Sequence, residues 1–267
     1  MIAVLQHAAW RRRFGLAGWA LAIAAVTALV AVAYPAIRDN AELDRTFANL
    51  SPGLQAVFGL ANGTTLTSPV GYLNSQFFTN TLPVMLLIFA IGTGAWGIAG
   101  DESAGTLELL LANPVSRTRV ALARVSALAL FLAALVTLSA VTLVAVAPSV
   151  GLTTHLSVWR LVAAALASGT TALTFGALAF AVGAAGRARS VALSVPASLA
   201  VAGYVIEGIA EPVHLLRPLR AISPWHWLIG GDPLARGLTW QVTALPLAVS
   251  LLLILAGTWR LTRRDLR

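Results

Sequence analysis

GDESAGTLELLLANPVSRTRV, Gly100 to Val120, is the stretch that decides how the rest of this chain is placed. It carries Asp101, Glu102 and Glu108, three of only ten carboxylates in the sequence. Asp101 reads as an N-cap, with Glu102 in the first turn, where negative charge meets the positive end of the helix dipole. Thr106 to Ala112 is built of strong helix formers. Leu107, Leu110 and Leu111 recur at i, i+3, i+4 and make one apolar stripe. Asn113-Pro114 stops the helix, because proline lacks the N–H and disfavours a helical residue before it. Ser116 stands where it can cap the next helix, ahead of Arg117. The stretch predicts a short amphipathic helix at a membrane surface. Periodicity alone favours a helix lying on lipid over one docked on a protein.

The membrane enters through what flanks the stretch. The chain is 58% hydrophobic and 10% charged, with a mean hydropathy of +0.83, whereas a soluble domain is typically about 25% charged. A spanning helix needs about 20 mainly apolar residues. Six runs qualify: 14–34, 80–99, 120–147, 156–185, 190–209 and 241–259. The expected fold is an all-α integral membrane protein with six transmembrane helices, one domain over 1–267, and a short helix at the surface between spans 2 and 3. Arg11-Arg12-Arg13 ahead of an apolar run imitates a signal peptide, but the run is longer than a signal core and reads as an uncleaved anchor.

Orientation follows from arginine, the only basic residue apart from histidine; there is no lysine and no cysteine. With the N-terminus inside, one side receives Arg11, Arg12, Arg13, Arg117, Arg119, Arg124, Arg187, Arg189, Arg260, Arg263, Arg264 and Arg267. The other receives Arg38, Arg45, Arg160, Arg217, Arg220 and Arg236. The excess puts both termini and Gly100–Val120 in the cytoplasm. It also accounts for the net charge of +8 without nucleic acid. The missing lysine removes the G-x-x-x-x-G-K-[ST] phosphate loop and any Schiff-base chemistry. If ATP drives this protein, another chain binds it. The missing cysteine excludes disulfides and thiolate metal sites. Neither G-x-S-x-G nor H-E-x-x-H occurs.

The pattern E-x-x-G-T-L-E-L-L-L-A-x-P-V-S-R resembles the cytoplasmic segment of ABC-2 type transporter permeases. Tyr34-Pro35 before an acidic loop, Ser68-Pro69-Val70-Gly71-Tyr72-Leu73-Asn74 and Gly231-Asp232-Pro233-Leu234 resemble such permeases as well. In that family the cytoplasmic segment is the coupling helix that docks on a separate ATPase. The resemblance assigns ATPase coupling to Glu102, Gly105, Thr106, Leu107, Glu108, Leu110, Leu111, Pro114, Ser116 and Arg117. It implies no cofactor on this chain, with ATP and Mg bound by the ATPase subunit. It also implies a second permease copy or a paralogue, lipid around the pair, and a place in the inner (cytoplasmic) cell membrane. The expected function is export of an amphipathic, lipid-like or drug-like substrate. The alternative is a membrane scaffold that regulates, or is regulated by, an ATPase without transport. A membrane-embedded enzyme would need facing polar groups at depth, and the spans offer mostly serine and threonine.

Other features carry weaker readings. Glu207, near the outer end of the fifth span, is a possible intramembrane polar site. Glu211 and Arg217 are close in sequence, which points to a cap or local ion pair. His155, His214 and His226 fall on the outer side with no ligand spacing and read as isolated surface residues. The loop 35–79 predicts two short amphipathic helices, on Leu43, Phe47, Leu50 and on Leu54, Val57, Phe58, separated by Ser51-Pro52-Gly53. The loop 210–240 holds four prolines. Its Trp225, Trp227 and Trp240 suit an interfacial belt. Part of it can re-enter the membrane if it is buried in protein. Gly92, Gly94, Gly97, Gly100, Ala172, Gly176, Ala179 and Gly183 permit close helix approach, mainly for packing within the fold.

Overall fold

A chain inside a bilayer must satisfy its own backbone, and helices do so segment by segment. The computed structural model forms helices throughout, with no strand among the described residues. It describes residues 2–50, 54–55, 60, 65–106, 116–153, 156–209, 213 and 216–264, with backbone only at 2–13 and 41. In order, the helices are α1 (Ile2–Ala33), α2 (Pro35–Arg38), α3 (Ala41–Ala48), α4 (Pro69–Leu73), α5 (Thr81–Ala95), α6 (Asp101–Ser103), α7 (Arg117–Val146), α8 (Val158–Ala184), α9 (Arg189–Ile209), α10 (Arg217–Ala221), α11 (Pro224–Gly231), α12 (Pro233–Arg236) and α13 (Ala244–Arg263). Six helical runs are long and apolar enough to cross a membrane. The chain is an all-α, multi-pass membrane protein.

The second run is where the structure departs most from the pattern reading. Expected over 80–99, it is one helical run from Pro69 to Ser103. Ser68 caps its start, accepting from the Gly71 N–H at 3.1 Å, and Pro69 occupies the first turn, where no N–H is needed. Single π-turns at Asn74–Phe78 and Trp96–Gly100 join α4, α5 and α6. The Ser68–Asn74 motif is therefore the opening of the span rather than its approach. Asp101 is not an N-cap. Ala95, Gly100 and Asp101 are all right-handed helical, so the span simply continues through it.

Two runs form the centre. In Pro69–Ser103 and in α8, 72% of the most apolar window is buried, against 17–33% in the other four. The outer helices expose Leu21, Leu29, Leu130, Val201 and Leu252, as lipid-facing helices do. α8 earns its central place through small residues, burying Ala163, Ala164, Ala167, Gly169, Ala172, Gly176, Ala179 and Gly183. A side chain at Gly94 would run into the Gly176 carbonyl oxygen, and a Cβ at Gly183 would stand 3.2 Å from that of Ala99. These glycines close the α5–α8 contact within one chain. Gly92, two residues from Gly94, has nothing within 4 Å of an added Cβ.

In the loop after α1, Asn40 caps α3 by accepting from Glu42 and Leu43. The expected second helix falls mostly outside the described residues, since only Leu54 and Gln55 are described.

Candidate functional site

The middle of the organising segment, residues 107–115 with Leu107, Glu108, Leu110, Leu111 and Pro114, lies outside the described residues. Both of its flanks are described, and both are tightly built. On the near side α6 ends at Gly105, whose φ of +65° is a left-handed conformation that costs glycine little and other residues more. The Gly105 N–H donates to Glu102 O at 3.0 Å and the Ala104 N–H to Gly100 O at 3.1 Å. Thr106 Oγ1 then donates to Asp101 O at 3.1 Å, giving a carbonyl at the helix end a side-chain partner. On the far side Ser116 caps α7, its hydroxyl accepting from the Arg119 N–H at 3.3 Å.

Ion pairs fix the two flanks to the bundle. Asp101, at the end of the second span, pairs with Arg124 in the second turn of α7, and both side chains are mostly buried. Glu102 is taken by Arg264: Nη1 donates to Oε2 at 3.0 Å, and Nη2 pairs with Oε1. That is the two-pronged fork a guanidinium makes with a carboxylate. Arg117 Nη1 donates to Leu261 O at 3.3 Å and to Arg264 O, placing a cation on the carbonyl end of α13. Arg189 lies 4.2 Å above the Trp96 ring, holding the start of α9 to the same corner. The pattern reading offered Glu102 to a partner protein; here its carboxylate is engaged within the chain.

The opposite end gathers the other motif stretches. Tyr34 donates to Thr67 O at 3.0 Å, Tyr72 donates to Val30 O at 2.7 Å, and the two rings stand 5.1 Å apart. Asn74 Nδ2 donates to Asp232 Oδ1 at 3.1 Å, joining Ser68–Asn74 to Gly231–Leu234 across 158 positions. Asp232 holds φ +41° and also accepts from the Ala235 N–H, capping α12. A side chain at Gly231 would collide with Val242 Cγ1.

The segment from α10 to Thr243 folds down among the spans. Trp225 Nε1 donates to Ala200 O at 2.8 Å. Ala200 lies nine residues before Ile209, so the hairpin descends about 13 Å along α9 at 1.5 Å per residue. Thr170 Oγ1 donates to Val242 O at 2.7 Å, giving that carbonyl a partner inside protein. Trp225 and Trp227 are buried, with Trp227 Nε1 bonded to Ala221 O, so neither belongs to an interfacial belt; Trp240 is exposed.

Glu207 sits where this hairpin meets α9. Its side chain is 1% exposed, and Oε1 accepts from Arg220 Nη2 at 2.9 Å and lies 3.1 Å from His226 Nδ1. It is an ion pair, as its neighbourhood suggested, but Arg220 is the partner rather than Arg217. His226 is correspondingly no isolated surface histidine. His155, His214 and Glu211 lie outside the described residues. Among the described residues no group of three metal-binding side chains occurs.

Sequence reasoning missed Asp101–Arg124, Glu102–Arg264 and Asn74–Asp232. For the two ion pairs the available signal was scarcity: ten carboxylates among 18 arginines favour pairing, as Asp101 and Glu102 show; Asn74–Asp232 had no such signal.

Compared with protein families, residues 15–266 match the family described as ABC-2 family transporter protein. The comparison with curated proteins finds no match.

Proposed function

Because this chain belongs to the ABC-2 family of transporter proteins, a family of membrane transport components that are not themselves catalytic, we propose that it is the permease of an exporter driven by a separate ATPase. The ATPase docks on the segment between Gly105 and Ser116. ATP and Mg bind to that subunit, and a second copy or a paralogue completes the path through the cell membrane. The substrate class we assign is amphipathic, lipid-like or drug-like.

The observation that supports this most is the construction of the segment's flanks. A helix merely resting on lipid needs no rigid mounting. Here one flank is tied to α7 through Asp101–Arg124, and both are tied to α13 through Glu102–Arg264 and Arg117. A load that reaches either flank is therefore passed to the spans. Only a contact that differs between the two states of the ATPase can shift the conformation of the spans.

The test is reconstitution of the full chain with an ABC ATPase subunit that copurifies with it, measuring ATP-dependent substrate movement in vesicles. We expect movement with both subunits and none with either alone. Leu110→Asp, which puts a charge into the apolar contact, should abolish movement while leaving membrane insertion intact. ATP hydrolysis by the rigorously purified chain alone would refute the proposal.

A further inference from the structure

The last turn of α13 is held from three directions. Glu102, just before the coupling segment, is forked onto the Arg264 guanidinium. Arg117, just after the segment, donates to the carbonyls of Leu261 and Arg264. On a third side is Gly186, in the turn between spans 4 and 5. Its φ is +84°, and a Cβ there would stand 2.5 Å from Arg264 Cζ. A side chain at 186 would thus be strained and would displace the guanidinium.

This arrangement goes beyond what covalent continuity requires. The coupling segment leads directly into α6 and α7, so a load on it reaches spans 2 and 3 through the backbone. Nothing in the chain order connects it to span 6. Leu261 packs with Ile98, Val120 and Ala121 there, and two arginines make the polar connection: Arg264 by a planar fork on a carboxylate, a geometry lysine lacks, and Arg117 by one nitrogen shared between two carbonyls. α13 in turn packs along the central helix. A Cβ at Gly257 would lie 2.9 Å from Ala181 Cα, and Ser250 Oγ donates to Thr174 Oγ1 at 3.2 Å.

We propose that Arg264 is a positioning residue for coupling: its guanidinium binds the end of the sixth span to the near flank of the coupling segment at Glu102, while Arg117 binds the far flank to the same span end, so that the three move as one body. This rests on the reading of the segment as the ATPase-docking element. Arg264 acts through Glu102 and sets where a load on the segment is delivered.

The experiment uses the absence of native cysteine. Ala104→Cys and Thr262→Cys, both exposed positions, carry spin labels in the full chain in lipid nanodiscs. Their distance distribution is recorded for the chain alone, and with the copurifying ATPase subunit with and without a non-hydrolysable ATP analogue. We expect a narrow distribution that the analogue leaves unchanged. Arg264→Ala should broaden it, Arg264→Lys should recover part of the order, and Gly186→Ala should broaden it without touching either charge. In vesicles, Arg264→Ala should keep the ATPase bound yet lower substrate movement per ATP about tenfold or more, the scale of one charge-assisted hydrogen bond. Equal distributions in the native chain and in both Arg264→Ala and Gly186→Ala would overturn the proposal. So would a native distance that shifts with the analogue, or loss of movement only through loss of the ATPase. If the native chain never binds the ATPase, the docking reading fails, while the labels on the chain alone still decide whether the clamp exists.

Discussion

Replacing Glu207 by alanine should unseat the hairpin from α9, and the size of the effect can be worked out from its neighbours. The Glu207 side chain is 1% exposed, Arg220 26% and His226 33%. A hydrogen bond to a charged group contributes roughly 1.5–3 kcal/mol, and breaking a fully buried pair costs about 3–5 kcal/mol. Arg220 retains some solvent contact and can recover part of its hydration, which moves the cost toward the lower figure. Glu207→Ala should therefore cost about 2–4 kcal/mol. Glu207→Gln keeps the shape and one acceptor and should lose about half as much. Arg220→Met combined with Glu207→Gln leaves no stranded charge, so the double variant should be less damaged than the sum of the singles, with a coupling energy of about 1–3 kcal/mol. The assay is denaturant unfolding of the purified chain in mild detergent, following the buried Trp225. If Glu207→Ala costs less than about 1 kcal/mol, the pair is an exposed contact and the burial of the hairpin is misread. Strict additivity in the cycle would refute the pairing itself.

Two further predictions separate residues that look alike in sequence. Gly94→Val should open the α5–α8 crossing, costing at least about 3 kcal/mol because a backbone carbonyl of a packed helix cannot step aside. Gly92→Ala should lie within about 0.5 kcal/mol of the native chain; unfolding midpoints in detergent check both. Single cysteines at Ser103 and Arg236, exposed at the two ends, should label from opposite sides, Arg236→Cys from outside and Ser103→Cys only after permeabilisation. External labelling at Ser103→Cys would reverse the orientation drawn from arginine.

Much of the fold was legible because the bilayer makes length and hydropathy decisive. Six apolar runs become six helices, since no other open structure satisfies the backbone there. What the pattern concealed has specific causes. Ser68–Asn74 is too polar at its start to score as membrane sequence, yet Ser68 and Pro69 are a helix opening. The π-turns at Asn74–Phe78 and Trp96–Gly100 leave no compositional mark. Trp225 and Trp227 resemble belt residues by type, and only the descent of the hairpin buries them. Asp101 looked like a cap because an acid before a helix former usually is one, whereas here the preceding span had not ended. The partners of Glu102 and Asn74 are 162 and 158 positions away, a separation over which one sequence gives no register. Ser116 was readable as a cap, since its role is set by a neighbour three residues on, whereas the turn at Gly105 and the Thr106 bond to Asp101 O were not read.

The claim on which the rest depends is that Leu110 and its stripe meet a protein rather than lipid. A photo-crosslinking amino acid at position 110, in the full chain coexpressed with its candidate ATPase subunit, decides between them. Irradiation in intact membranes should yield an adduct between this chain and the ATPase, diminished when Leu107 or Leu111 is changed to aspartate. An adduct with lipid alone, at undiminished yield with the ATPase present, would contradict the account and leave the stripe of Leu107, Leu110 and Leu111 facing lipid.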